Sequence, residues 1–265
     1  MIRSVRGLVA LVTGASSGIG EAMAYALAEG GADLVLVSRD RARLERISEE
    51  IKKRYGVRVW IFETDLTSFS NCESLFQFTE TQKIAVDVLV NNAGFAHYGP
   101  FEKCEPRDGA RMIRLNVESL TVLTRLFLPG MQRRKKGGVL NVASIAGFQP
   151  IPYLSVYAAT KAFVLSFSEA LWAENLKHGV RVFCLCPGNT RTRFHETAGI
   201  MEQKIFFCAP ADAVARFALR KFLKSRRPTA IFGFWNKVMI YAERFGPRAL
   251  VVFFTNWIYG PSRAR

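Results

Sequence analysis

Apolar residues in this chain fall in short runs separated by turn and charged residues. Six of them, at residues 8–12, 34–37, 57–62, 86–90, 139–142 and 180–184, are largely apolar rather than strictly alternating, four of them holding a single polar residue (Arg58, Asp87, Asn141 and Arg181). Such runs must be covered on both faces, as the strands of a parallel sheet are. Between them, residues 21–28, 41–55 and 68–82 repeat their apolar positions at the helical period. The β-α-β-α alternation predicts an α/β fold with a doubly wound parallel sheet and helices on both faces. In 265 residues there is no proline-rich or glycine-rich linker and no internal repeat, so one body is expected. Residues 235–259 depart from the pattern. Large apolar residues (Trp235, Val238, Met239, Tyr241, Phe245, Trp257) are interrupted by Lys237, Arg244, Gly246, Pro247 and Arg248. A spanning helix needs about 20 uninterrupted apolar residues. Two short helices joined at Gly246 and Pro247 are predicted instead, lying on the protein or in a membrane interface.

Composition narrows the class. At 49% apolar and 22% charged residues, a disordered chain is excluded. The net charge of +15 is unevenly spread: residues 213–265 hold eleven cations (Arg216, Arg220, Lys221, Lys224, Arg226, Arg227, Lys237, Arg244, Arg248, Arg263 and Arg265) against Glu243 alone. Such a surface attracts nucleic acid, an anionic membrane or an acidic acyl-carrier protein, while a solvated basic face is the plain alternative. The five cysteines, at 72, 104, 184, 186 and 208, have no redox or metal-cluster spacing; they read as buried thiols in a reducing compartment, with no metal site. The first apolar run is too short for a signal sequence and reads as a strand. The expected location is cytoplasmic, with peripheral attachment to a membrane as its variant.

The first strand runs into Thr13-Gly14-Ala15-Ser16-Ser17-Gly18-Ile19-Gly20, with a helix opening at about Ile19. Glycines allow positive φ and close approach of a ligand, and the helix N-terminus favours an anion, so this turn suits a pyrophosphate. After the second strand, where an acid would read a ribose 2′-hydroxyl, stand Ser38 and Arg39. A cation there pairs with a 2′-phosphate, which favours NADP(H) over NAD(H). Asp40 is the expected cap of the next helix.

Tyr157 and Lys161 lie one helical turn apart in Tyr-Ala-Ala-Thr-Lys, so both project from one face. An ammonium beside a phenol favours the phenolate, and the pair can then exchange a proton with an alcohol oxygen. Ser144, after the fifth strand, can hydrogen-bond the same oxygen.

Residues 13–20, Asp65, Asn91-Asn92-Ala93-Gly94, Asn116, Ser144, Tyr157 with Lys161, and Pro187-Gly188 with Thr192 together resemble the short-chain dehydrogenase/reductase signature, in order and spacing, over about residues 7–195. The resemblance implies a Rossmann-type sheet of about seven strands, ordered 3-2-1-4-5-6-7. It implies a catalytic set of Asn116, Ser144, Tyr157 and Lys161, with Asn116 holding a water that links Lys161 to solvent. The cofactor would lie on Gly14, Ser16, Ser17, Gly18, Ile19 and Gly20, with Ser38 and Arg39 at its 2′ end. Asp65 and Leu66 would contact the adenine, and Asn92, Ala93 and Gly94 its ribose. Tyr157 and Lys161 would reach the nicotinamide ribose, and Pro187, Gly188, Thr190 and Thr192 the nicotinamide itself. Residues 1–232 would form the dinucleotide-binding and catalytic domain and 233–265 a helical extension of it. Asn189 and Thr190 replace bulkier apolar residues of the family pattern, and Arg191 stands where an acid is frequent.

The segments that build the family's substrate pocket here supply Phe95, His97, Tyr98, Phe101, Ile145, Phe148, Ile151, Tyr153 and Phe194, with Phe206 and Phe207 further on. Together with Ser144 they suit an apolar carbonyl or alcohol, such as an acyl, ketoacyl or steroid-like molecule. A dehydrogenase of a small polar alcohol or sugar is the alternative, disfavoured by the few carboxylates and amides there. A nicotinamide-binding regulator or nucleic-acid-binding protein would not need all four catalytic positions, so no nucleic acid partner is expected. The resemblance implies a homodimer or homotetramer.

Overall fold

The computed structural model describes residues 2–200, 208–243 and 245–260. Its main sheet has the order β3-β2-β1-β4-β5-β6-β9. The strands are β1 (Val9–Thr13), β2 (Asp33–Ser38), β3 (Val59–Glu63), β4 (Val88–Asn91), β5 (Gly138–Val142), β6 (Arg181–Cys186) and β9 (Thr229–Ile231). Every pairing is parallel; in register, Leu11 lies opposite both Val35 of β2 and Leu89 of β4. A second, two-residue pair joins β7 (Thr190–Arg191) to β8 (Ala209–Pro210).

Strand alternation divides the apolar residues between two helical layers. Ala10, Val12, Leu34, Leu36, Phe183 and Leu185 pack under α1 (Gly18–Glu29), α2 (Arg41–Tyr55) and α8 (Ala211–Lys224). Leu11, Val35, Val37 and Leu89 face α3 (Phe69–Thr81) and α5 (Leu120–Arg133). Cys184 and Cys186 of β6 pack with Val164 and Leu165 of α6 (Ser155–Asn175). Both sheet faces are therefore dry, which is why the strands read as largely apolar runs. Helix α2 has the expected bounds: Asp40 accepts the Arg43 N–H at its start, and Gly56 closes it at φ 67°. Two elements outside the expected segments follow β4: the short helix α4 (Pro106–Ile113) and the π-helical turn Arg114–Ser119 that joins it to α5.

The chain then adds α7 (Phe194–Ala198), α9 (Phe234–Glu243) and α10 (Arg248–Tyr259), the last two separated at Gly246 and Pro247 as the sequence predicts. Cys104 and Cys208 are half-buried rather than buried, because both sit in connections outside the layered core. Arg244, Arg263, Arg265, Phe206 and Phe207 lie outside the described residues. Among the described residues no helix is long and apolar enough to cross a membrane.

Candidate active site

Because the strands are parallel, the turns after β1, β2, β4, β5 and β6 leave the same sheet edge, where they line one cavity of about 980 Å³. The turn after β1 depends on its glycines. Gly14 and Gly18 have φ of 65° and 60°. A Cβ on Gly14 would lie 2.8 Å from the Asn92 amide, and one on Gly18 would lie 2.8 Å from Thr192 Cγ2. Thr13 braces the turn: its hydroxyl donates to Val90 O (3.2 Å) and accepts the N–H groups of Asn92 and Ala93, each at 3.0 Å. Asn92 Nδ2 in return donates to Thr13 O at 2.9 Å. Gly14, Ser16, Ser17, Gly18 and Ile19 line the cavity. Gly20 does not, since it lies behind the turn, where a Cβ would collide with Gly14 O.

At one end the wall is Ser38, Arg39, Asp65 and Leu66, together with Asp40, Arg41, Ala42 and Thr64, which the sequence did not single out. The Arg39 guanidinium lies 3.7 Å from the Asp65 carboxylate, and that of Arg111 4.0 Å from it. Burial pushes the Asp65 carboxyl up; hydrogen bonds from Thr67 and the two arginines outweigh it, leaving the pKa below the usual carboxylate value.

Ser144 ends the β5 edge, and Tyr157 and Lys161 project from successive turns of α6 into the same cavity. Ser144 and Tyr157 line this cavity together, and Ser144 favours the charged form of the phenol. Lys161 Nζ donates to Val142 O at 2.8 Å and lies 5.7 Å from the Tyr157 ring centroid. The expectation of an acidic phenol needs correction in the ligand-free protein. Burial pushes Tyr157 up to about 12, against the influence of Ser144, and takes Lys161 down to about 8. A dry site disfavours the charged form of both groups, and at Lys161 this outweighs the opposing influence of Cys184 and Cys186.

Asn116 is buried beside the cavity rather than in its wall, held by the π-helical turn. Its Oδ1 accepts Phe95 N–H (3.1 Å), and its Nδ2 donates to Phe95 O (3.0 Å) and Thr160 Oγ1 (3.1 Å). A Cβ on Gly94 would lie 2.9 Å from Asn116 Oδ1 and 3.7 Å from Lys161 Nζ, so Gly94 leaves the gap between them. Asn92, Ala93, Gly94, Pro187, Gly188, Thr190 and Thr192 complete the wall.

Of the residues expected around a substrate, Phe95, Ser144, Ile145, Ile151 and Phe194 line the cavity, the Phe194 ring 5.5 Å from that of Tyr157. His97, Phe148 and Tyr153 do not. Tyr153 turns away at φ 66° to meet Tyr98, ring to ring at 6.1 Å, His97 sits near Gly99, and Phe148 points partly to solvent. Gln149, Ile200 and Tyr259 also line the cavity and were not foreseen. Gln149 lies in the stretch after Ser144 already taken as pocket-forming, so its position was a usable signal. Tyr259 reaches the site from the far end of the chain, which no local pattern reveals.

A glycine bend and a buried phenol thus share one cavity at the edge of a Rossmann-type parallel sheet. Residues 8–203 match the family described as short chain dehydrogenase, to which the chain belongs. It is 37% identical over 193 residues to the very-long-chain 3-oxoacyl-CoA reductase of Anas platyrhynchos, covering 71% of this chain and 61% of that one. To hydroxysteroid dehydrogenase-like protein 1 of Gallus gallus it is 32% identical over 236 residues, 87% of this chain and 69% of that one. It thus spans somewhat under two thirds of the duck reductase. Among solved structures, a short-chain dehydrogenase from Sphingobium yanoikuyae in complex with NADPH superposes with a TM-score of 0.81 at 30% identity, covering 97% of each chain.

Proposed function

We propose that the protein is an NADP(H)-dependent reductase of an apolar, lipid-like ketone or aldehyde, with Tyr157 as the acid that protonates the carbonyl oxygen. The observation that carries this reading is the Tyr157 phenol, buried and held protonated beside Ser144 within the cavity that begins at the glycine bend. A neutral phenol is the form that carbonyl reduction consumes.

The wall fits the cofactor. The glycines of the bend leave no room for a Cβ, as a backbone presenting its N–H groups to a pyrophosphate requires. Gly14, Ser16, Ser17, Gly18 and Ile19 would hold the phosphates, Ser38 and Arg39 the 2′-phosphate, Asp65 and Leu66 the adenine, and Asn92, Ala93 and Gly94 its ribose. Pro187, Gly188, Thr190 and Thr192 would border the nicotinamide. When bound, the cofactor supplies the hydride that reaches the carbonyl carbon. Tyr157 gives its phenolic proton to the carbonyl oxygen, which Ser144 holds by a second hydrogen bond. Lys161 stabilises the phenolate left behind and returns a proton to it, and Asn116, across Gly94, orients the water path from solvent. In the oxidative direction each proton transfer reverses.

The apolar lining of Phe95, Ile145, Ile151 and Phe194 supports a lipid-like substrate. So do the names of the duck and chicken relatives. The test is Tyr157→Phe. Turnover should fall by about 100-fold or more while NADPH affinity stays within a few-fold. Retained turnover would remove Tyr157 from its role.

A further inference from the structure

Helices α9 and α10 are built inside out. In a surface helix of a water-soluble protein the apolar stripe faces the core and the polar residues face water. Here three polar residues turn inward beside the buried Ile240, while Arg248 and Asn256 stay exposed. Asn236 donates to Phe232 O at 2.7 Å and abuts Gly188, Glu243 meets the Gln149 side chain, and Thr255 donates to Pro150 O at 3.1 Å. The outward faces are aromatic: Phe245 is 92%, Trp257 79% and Phe234 71% exposed, and Trp235, Phe253 and Phe254 are each more than half exposed. No other part of the described surface carries a comparable group of aromatic residues. An apolar face of this extent needs an apolar partner.

We infer that α9 and α10 form a docking face that lies flat in the interface of an anionic lipid bilayer and sets the mouth of the active-site cavity against it. Ten and twelve residues are too few to cross a hydrocarbon core, but suit a pair of helices lying in the headgroup plane, where Trp and Tyr are favoured. Charge selects the partner. The described cations of α9 and α10 are Lys237 and Arg248, and their one acid, Glu243, is turned toward the protein. Two copies of this face would bring like charges together, whereas anionic headgroups neutralise them. The basic residues Arg226 and Arg227 do not belong to this face, since Arg227 O accepts from Arg181 at the opposite edge of the sheet.

The face also touches the site. Tyr259, the last residue of α10, lines the cavity, and its carbonyl accepts the Tyr98 hydroxyl. An apolar substrate dissolved in the bilayer therefore reaches Tyr157 past the end of the docked helix; this route rests on the reductase reading above, whereas the docking does not.

The test sediments the full chain, loaded with NADPH, with vesicles of phosphatidylcholine alone or mixed with phosphatidylglycerol. The protein should pellet with the mixed vesicles and be released as salt rises. The triple variant Phe245→Ser/Phe253→Ser/Trp257→Ser alters only exposed side chains, and its circular dichroism and NADPH binding should match the parent. Its vesicle affinity should drop by about tenfold or more. Three results would overturn the inference: parent protein left in the supernatant, equal pelleting of the triple variant, or scattering that finds a dimer without vesicles that the triple variant converts to monomer. Turnover of a small water-soluble ketone, measured without vesicles on both proteins, keeps the two readings apart. If it is absent while vesicle binding holds, the reductase reading fails and the docking face stands.

Discussion

Burial drives both titratable groups of the site toward neutrality, and this gives a signature in pH. In the free enzyme Lys161 carries its proton only below about 8, while the phenol keeps its own up to about 12. The kcat/KM for NADPH, which reports free-enzyme ionisations, should therefore be flat near pH 7 and fall as pH rises through the lysine value. In Lys161→Arg the fall should move upward; a profile of the native enzyme that stays level to pH 10 would exclude the lysine as the controlling group. Arg39 makes a second residue-scale prediction. Its guanidinium is mostly exposed and held only loosely to Asp65, so it is available to a 2′-phosphate. NADPH should bind about tenfold or more tighter than NADH, and Arg39→Glu should invert the order in a fluorescence titration. Equal affinities in the native protein would dismiss the assignment.

At the scale of elements, Glu243 is the weak point in how α9 sits on the body. Burial raises its carboxyl to about 7. An acid with its folded pKa above its unfolded value of 4.5 adds stability that is complete below 4.5 and lost as pH rises through about 7. Glu243→Gln should therefore raise the thermal midpoint at pH 8 and change it little at pH 4.5; a uniform shift at both would show that the charge is not the cause. The same comparison marks what the sequence reveals. The glycine bend, the Asp40 cap and the Tyr157–Lys161 turn were legible because each is a local rule of φ, capping or helical spacing. The six main strands were legible because burial on both faces leaves no polar alternation. The seventh, β9, has only three residues and was expected only from the family resemblance. The π-helical turn around Asn116 has no periodic signature, and His97, in the connection after β4, and Phe148 and Tyr153, in that after β5, were misplaced because the course of a loop, turned by a positive φ at Tyr153, has none either.

For the molecule as a whole, the cavity joins a polar end at Arg39 to an apolar end at Phe95 and Phe194. With ketones of graded chain length, NADPH oxidation should rise in kcat/KM with each added methylene, by up to about fourfold if each is fully buried. A preference for short polar ketones or sugars would replace the lipid-like substrate with the polar alternative.

Thr13 carries a consequence for how binding competence is acquired. Its hydroxyl ties the first bend to Asn92, a partner 79 residues along the chain. The opening β-α-β segment thus contains every glycine of the first bend but not the Asn92 to which that bend is tied. A nascent chain, or a fragment ending before β4, should be blind to the nucleotide however well its first helix forms, and recognition should switch on only when the middle strand docks.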